Sequence, residues 1–166
     1  MSLPKSEAVE QAVLQDTIAQ QRATISELQT PVIQVWEGIL ALPIVGTVDT
    51  ARAQDMTEAL LERIVATGSE IVLLDITGVP VVDTAVARHL LETVAAARLL
   101  GADVLIVGLS SRTAMTLVQL GIDLSHVTTR ATLAKGLEFA FRRLGLVVVA
   151  QNGSTRRTVE ADGATP

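Results

Sequence analysis

The sequence predicts an α/β fold in which helices pack on a mixed β-sheet, preceded by a separate N-terminal helix. From about residue 30 onward, short β-branched runs alternate with amphipathic helical segments, which is typical of parallel strands joined by helical crossovers. Before that point, residues 6–29 are polar and contain neither Gly nor Pro, which favours a helix. The length of 166 residues, 49% of them apolar, suits one domain with some excess at the ends.

The N-terminal helix has apolar residues at heptad spacing. Ile18 and Ile25 occupy a positions, and Leu14 and Leu28 occupy d positions, a pattern that favours a parallel two-stranded coiled coil. We expect a dimerising or signal-carrying helix; the alternative is an amphipathic helix that packs onto its own domain. Pro31 ends the helix, because the residue before a proline is disfavoured in the helical region.

A β-hairpin is predicted to open the domain. Two apolar runs, Val32 to Trp36 and Ile39 to Val48, are separated by a turn at Gly38. Proline has no N–H for a sheet ladder, so Pro43 places the second strand at an edge or at a bulge.

Helices and buried strands alternate through the rest of the domain. Near-continuous apolar runs predict two strands buried on both faces, at 71–76 and 103–107, and a shorter run predicts an edge strand at 127–129. Helical spacing predicts four helices, at 50–67, 84–100, 112–120 and 133–144. The order β β α β α β α β α implies a largely parallel sheet, made mixed by the hairpin. We therefore divide the chain into a helix (1–29), a domain (30–144) and a tail (145–166) that we expect to be disordered.

Composition and charge argue against several classes of partner. The net charge is −5 and no basic stretch stands out, so we expect no nucleic acid. No apolar run approaches the roughly 18 residues of a membrane span, and no secretory signal is visible, so we expect no membrane partner. The absence of cysteine suits a reducing compartment, and we expect the cytoplasm. Aromatic residues make up only 2% of the chain, which predicts an aliphatic core.

The sequence also lacks the usual catalytic and cofactor motifs. Neither GxxxxGK[ST] nor GxGxxG is present, and no serine lies in a GxSxG elbow. The two histidines, His89 and His126, fall on different predicted elements without a ligand at metal-binding spacing. We expect a protein that is not an enzyme and that holds neither a cofactor nor a metal.

The segment LDITGVPVVDT, residues 74–84, stands out instead. A buried strand is predicted to end at Asp75, a loop with Gly78 follows, and Asp83 and Thr84 directly precede a helix. Thr84 then lies at or next to the helix N-cap, beyond the carboxyl ends of the strands, where open α/β sheets present functional groups. The helix dipole and free N–H groups would stabilise a phosphate there by roughly 1 kcal/mol or somewhat more. The residues alone favour a simpler role, in which Thr84 only caps the helix.

Three stretches of the sequence resemble the STAS domain family of sulfate transporters and anti-sigma-factor antagonists, and specifically its RsbR-type stressosome members. They are TPVIQVWEGILALPIVGTVDTARA (30–53), VLLDITGVPVVDTAVARHLLETVAAARLLGA (72–102) and AMTLVQLGIDLSHVTTRATLAKGL (114–137). The resemblance covers about 30–144, and the combination of DITGVPVVDT with LVQLGIDL is highly specific. It implies a STAS-like mixed sheet with helices packed on it, in agreement with the element order above.

The resemblance implies particular sites. In such proteins a Ser or Thr at the start of the second domain helix is phosphorylated by a serine/threonine kinase of the RsbT type, and Thr84 matches this position. A second phosphorylated threonine is matched by Thr116, with Thr113 and Ser111 as alternatives. The residues expected to bind the partner are Asp75, Thr77, Gly78, Asp83 and Thr84.

These implications lead to one expected function and two alternatives. We expect an anti-sigma-factor antagonist or RsbR-like stressosome component that binds an RsbT-like kinase and an RsbS-like STAS protein, forms a homodimer and a larger assembly, and is regulated at Thr84. The alternatives are a pure oligomerisation scaffold without phospho-switching and, less favoured, a STAS domain that binds a small ligand or nucleotide. RsbR-type proteins usually carry an N-terminal sensory domain joined by a helix, and we expect residues 1–29 to correspond to that linker.

Overall fold

A computed structural model describes residues 5–29 and 31–149 of the chain, with side chains described for 6–22 and 31–149. The strands are β1 (Ile33–Trp36), β2 (Ile39–Val45), β3 (Ile71–Gly78), β4 (Asp103–Val107) and β5 (Thr128–Arg130). The helices are α1 (Lys5–Gln29), α2 (Thr50–Thr67), α3 (Thr84–Leu99), α4 (Ser111–Gln119) and α5 (Leu133–Arg143). The order of the elements confirms the predicted alternation. The tail predicted to be disordered comprises residues 145–166, and its residues from 150 on lie outside the described part of the chain.

The five strands form one sheet in the order β1-β2-β3-β4-β5. The β1–β2 pair is antiparallel and the other three pairs are parallel, so the predicted mixed sheet is confirmed. Helices α2, α3 and α4 connect successive parallel strands as crossovers. As a result, each of these helices begins just after the carboxyl end of a strand. The three helix N-termini therefore lie at the carboxyl-end side of the parallel strands.

The structure decides between the two alternatives predicted for β2 and corrects the end of this strand. This strand lies between β1 and β3, not at an edge, and it ends at Val45 rather than Val48. Pro43 is tolerated because β1 pairs with β2 only as far as Ala41, so the second half of β2 has a neighbour on one side only. The predicted bulge is confirmed, since the register with β3 shifts between Pro43 and Val45.

The end of β3 corrects another prediction. The strand continues past Asp75 to Gly78, because β2 remains alongside it: Val45 pairs with Gly78, and Gly46 N donates to Gly78 O at 2.9 Å. Thr77 and Gly78 therefore belong to the strand and not to a loop.

Two aliphatic cores lie on opposite faces of the sheet. Alternate residues of β2, β3 and β4, such as Leu42, Leu74 and Ile106, pack under α2, α3 and α4. The intervening residues, such as Leu73 and Leu105, pack under α5. The buried hydrophobic residues described are all Ile, Leu, Val, Ala or Met, which confirms the aliphatic core.

The few aromatic side chains lie around α5. Trp36 of β1 makes an edge-to-face contact with Phe141, with ring centroids 5.5 Å apart. The guanidinium of Arg130 stacks on the ring of Phe139 at 4.4 Å. These contacts join α5 to both edge strands of the sheet.

Helix α1 presents its described side chains to solvent. Every residue from 6 to 22 is exposed, including Leu14 and Ile18 of the predicted heptad pattern. The described part of α1 therefore does not pack onto the domain. Ile25 and Leu28, the remaining members of the pattern, lie outside the residues whose side chains are described.

Candidate functional site

Thr84 is the first residue of α3, and its neighbour Asp83 supplies the helix cap. Asp83 has extended backbone angles, and its Oδ1 accepts a hydrogen bond from Val86 N at 2.8 Å. Thr84 is exposed, and within the described part of the chain nothing forms a hydrogen bond with its hydroxyl. Thr84 is thus not needed as a cap, and its hydroxyl is accessible.

Buried residues hold the exposed Thr84 in a fixed position. Val82 and Val86 are each only 5% exposed, and both belong to the core under α3. Because the chain is anchored two residues before and two residues after Thr84, the first turn of α3 is a firm platform for this side chain.

Asp75 and Thr77 form a compact unit at the end of β3. Asp75 Oδ1 accepts hydrogen bonds from Thr77 N at 2.9 Å and from Thr77 Oγ1 at 2.6 Å. Gly108, directly after β4, lies against this unit: a Cβ there would overlap Thr77 Oγ1 and come within 2.9 Å of Asp75 Oδ1. The backbone of Gly108 also has φ +81°, which favours glycine.

The five residues predicted to bind a partner therefore fall into two groups. Asp75, Thr77 and Gly78 make contacts that fix the end of β3, whereas Asp83 and Thr84 form the start of α3. None of the hydrogen bonds described for these residues joins one group to the other.

Helix α4 carries the candidates for the second site. Its cap is Ser110, whose Oγ accepts from Thr113 N at 3.0 Å and lies 2.8 Å from Thr113 Oγ1. Thr116 Oγ1 donates to the carbonyl of Arg112 at 3.0 Å. Both threonines are half-buried, whereas Ser111, the first residue of the helix, is exposed.

A shallow groove of about 260 Å³ connects this helix with the loop before Thr84. It is lined by Pro80, Val81, Val82, Arg112, Thr113 and Thr116. The groove brings Thr113 and Thr116 to the β3–α3 loop, while Ser111 does not line it. The two candidate regions are therefore adjacent, although Thr116 follows Thr84 by 32 positions in the sequence.

Sequence reasoning missed Gly108 and Arg112. A glycine directly after a buried strand is a signal for close backbone approach, and GLSSR at 108–112 contains that signal. Arg112 could not be found in this way, because its place in the groove depends on the packing of α4 beside the β3–α3 loop.

Two carboxyl groups outside this site, Asp123 and Glu138, have lowered pKa values. A hydrogen bond from the Ser125 side chain is the main cause that lowers the pKa of Asp123. The side chain of Lys135 does the same for the pKa of Glu138. The described residues, 5–29 and 31–149, contain no group of three or more residues placed to hold a metal ion.

Comparison with known proteins identifies the family. The family model for the STAS domain matches residues 30–136, which is more than half of the chain. The chain belongs to the STAS domain family. This confirms the resemblance drawn from the sequence, and the fold expected from it is the one observed.

Curated relatives of this STAS chain include RsbR-type proteins. The RsbT co-antagonist protein RsbRA of Bacillus subtilis (strain 168) is 46% identical over 134 residues, which are 81% of this chain and 49% of the relative. RsbRD of the same organism, also named an RsbT co-antagonist, is 41% identical over 117 residues, 70% of this chain and 42% of the relative. This chain thus spans half or less of the length of these relatives, and what it shares with them is an RsbR-type STAS domain.

Solved structures support the same assignment. A variant of RsbS from Moorella thermoacetica with a Ser-to-Glu substitution superposes with a TM-score of 0.60 at 30% identity, over 70% of this chain and 97% of that chain. A chain from the structure titled "Molecular architecture of the stressosome, a signal integration and transduction hub" superposes with a TM-score of 0.57 at 28% identity, over 70% of this chain and all of the other.

No helix in the described residues is both long enough and apolar enough to cross a membrane.

Proposed function

We propose that this chain is a non-enzymatic, RsbR-like regulator in the cytoplasm that binds a serine/threonine kinase of the RsbT type and is switched by phosphorylation at Thr84. The observation that carries the proposal is that Asp83 and Thr84 have separate roles at the start of α3. Asp83 caps the helix, and the exposed hydroxyl of Thr84 makes no hydrogen bond with the described residues that phosphorylation would remove.

The transfer would use the kinase's catalytic groups and the hydroxyl of this chain. The Oγ1 of Thr84 would bond to the γ-phosphorus of kinase-bound ATP as the bond to the ADP oxygen breaks, and the hydroxyl proton would pass to a base of the kinase. Such a transfer needs an accessible and well-positioned acceptor. The buried Val82 and Val86 on either side of Thr84 support this requirement.

The switch would be electrostatic. Phosphorylation converts a neutral hydroxyl into a group of about −1.5 to −2 charge at pH 7. The neighbouring loop exposes Val81, which is 67% accessible and gives a partner an apolar contact close to Thr84. A partner that buries this loop must desolvate or repel the new charge, so its affinity should fall on phosphorylation.

Assembly is the second part of the proposal. The likeness to the stressosome chain supports association with an RsbS-like STAS protein. The exposed Leu14 and Ile18 of α1 support a homodimer formed through a coiled coil. They equally favour a pure scaffold, and light scattering of the chain with and without residues 1–29 tests this helix: an unchanged particle size would show that α1 is not an assembly element.

Incubation with an RsbT-like kinase and ATP, followed by mass spectrometry, tests the modification. Thr84 should gain one phosphoryl group, and Thr84→Ala should remove that modification. Thr50→Ala is a control, because Thr50 is also an exposed first residue of a helix with an Asp cap, and Thr84 should be modified in this variant as in the wild type. The two threonines differ in that Thr50 Oγ1 lies 3.3 Å from His89 Nε2. An unmodified Thr84, or undiminished modification of Thr84→Ala, would contradict the proposal.

A further inference from the structure

Two exposed arginines near the candidate sites have no counter-ion among the described residues. Arg88 lies on α3 and Arg112 on α4, and no hydrogen bond or ion pair of either guanidinium occurs within residues 5–29 and 31–149. By contrast, Arg98, Arg142 and Arg143 each form an ion pair with a carboxylate. Arg88 and Arg112 are therefore available to bind an anion.

Each of these arginines lies one helical turn from a candidate phosphoacceptor. Arg88 is four residues after Thr84, and Arg112 is four residues before Thr116. Side chains four residues apart on a helix are neighbours, with Cβ atoms about 5–6 Å apart. Helical side chains also lean toward the N-terminus, so Arg88 leans toward Thr84. In α4 the order is reversed: Thr116 leans toward the turn of Arg112, whose carbonyl its hydroxyl contacts, and the long Arg112 side chain must turn back to reach it.

Arg112 also lies where a helix disfavours a positive charge. It is the second residue of α4, close to the positive end of the helix dipole, and this helix has neither an acidic cap nor an acidic residue in its first turn. An anion beside its guanidinium would offset this cost. Arg88 is the fifth residue of α3, beyond the first turn, and the Asp83 carboxylate already lies at that helix N-terminus.

We propose that Arg88 and Arg112 bind the phosphoryl groups carried by Thr84 and Thr116, respectively. This inference rests on the proposed function, because it concerns the phosphorylated state. A guanidinium can donate two parallel hydrogen bonds to phosphate oxygens, which fixes the group as well as neutralising part of its charge. The carboxylate that could compete for Arg88 along the helix is Glu92, and it contacts His89 Nδ1 at 3.5 Å instead.

The proposed contact has a consequence for regulation. A phosphate held by Arg88 lies against the first turns of α3 and presents a partner with a fixed, partly neutralised group rather than a mobile dianion. A partner would then discriminate the two states by the position of the phosphate as well as by charge.

The test uses the full chain with phosphothreonine incorporated at position 84 or 116 during synthesis, so that no kinase is involved. The second pKa of the phosphate is followed by ³¹P NMR. A neighbouring guanidinium stabilises the dianion, so Arg88→Gln should raise the pKa of phosphothreonine 84 by about 0.3 unit. Arg88→Lys should retain part of the effect, since it keeps the charge without the bidentate geometry.

The two sites serve as controls for each other. Arg112→Gln should raise the pKa of phosphothreonine 116 and leave that of phosphothreonine 84 unchanged, and Arg88→Gln should do the reverse. Arg63→Gln, which removes an exposed arginine from α2, should change neither. Circular dichroism confirms that each variant is folded.

Unchanged pKa values in Arg88→Gln and Arg112→Gln, or equal shifts in Arg63→Gln, would overturn the inference. This result is distinguishable from a failure of the proposed function. If the proposed function fails, the wild-type chain is not modified by the kinase, but the incorporated phosphothreonines still show their arginine-dependent pKa values.

Discussion

Helices α3 and α4 have the same connectivity but hold their candidate sites differently. Each follows a parallel strand and begins at a side-chain cap, Asp83 in α3 and Ser110 in α4. Six residues of α3 are buried, whereas Leu117 is the one buried residue of α4. Helices with the same topology can therefore differ in how firmly they hold a candidate site: α3 is anchored by many buried residues, and α4 is anchored by Leu117.

The positions of the two threonines along their helices also differ. Thr84 is the first residue of α3, where the dipole favours a phosphate. Thr116 is three residues before the end of α4, where a phosphate is disfavoured, and its hydroxyl donates a hydrogen bond that phosphorylation would remove. The first site should accept a phosphate at little structural cost, and the second should be strained by it.

The largest expected effect concerns the glycines that flank α4. Gly108→Ala should destabilise the fold by about 3 kcal/mol or more, because its Cβ would overlap the Asp75–Thr77 unit and its backbone is left-handed. Gly121 has a similar φ of +69° with nothing within 4 Å of its Cβ, so Gly121→Ala should cost only about 1–2 kcal/mol. Urea unfolding measures both values. Equal costs would show that the contact of Gly108 with the end of β3 does not matter for stability.

A smaller effect should follow from removing the anchor of α4. Leu117→Ala should cost about 2 kcal/mol, at the low end for a buried leucine because a weakly packed helix can relax. Met115, which is 64% exposed on the same helix, is the control, and Met115→Ala should change stability by less than about 0.5 kcal/mol. Hydrogen exchange of the Leu117→Ala variant should accelerate in α4 and not in α3. Equal acceleration in both helices would contradict the independence of α4.

The caps give a third and smaller test. Asp83→Ala and Ser110→Ala should each cost about 1 kcal/mol, since each removes the acceptor for a backbone N–H. Asp83→Asn should restore most of the stability, because asparagine caps equally well. Urea unfolding of the three variants checks these values. If Asp83→Ala were neutral, Thr84 or water would have to replace the cap. That result would contradict the assignment of the cap to Asp83 rather than to Thr84.

Local patterns predicted most of the elements and the location of Thr84. Continuous apolar runs gave the buried strands, and the Asp-Thr pair before an apolar periodic segment placed Thr84 next to the cap of α3. These features depend on neighbours in the sequence. They could therefore be predicted without knowledge of tertiary contacts.

Tertiary contacts decided the features that the sequence did not predict. The extension of β3 to Gly78 requires β2 alongside it, and the interior position of β2 depends on how far β1 reaches. The groove between the β3–α3 loop and α4 depends on where α4 packs, so it could not be predicted from LSSRTAMT alone. The family resemblance pointed to Thr116. The structure shows that this residue is half-buried and that its hydroxyl donates a hydrogen bond to the Arg112 carbonyl.

The smallest expected effect separates the two sites most directly. Phosphothreonine at position 84 should stabilise the fold by about 0.5 kcal/mol, and at position 116 it should destabilise the fold by a similar amount, owing to the opposite ends of the helix dipole. Thermal unfolding of the two phosphorylated chains and the unmodified chain measures these shifts. Both should shrink at 1 M salt, where the screening length is about 3 Å. If both shifts were stabilising, contacts of the phosphate with neighbours such as the Arg112 guanidinium would outweigh its place along α4, and Arg112→Gln should then restore the destabilisation.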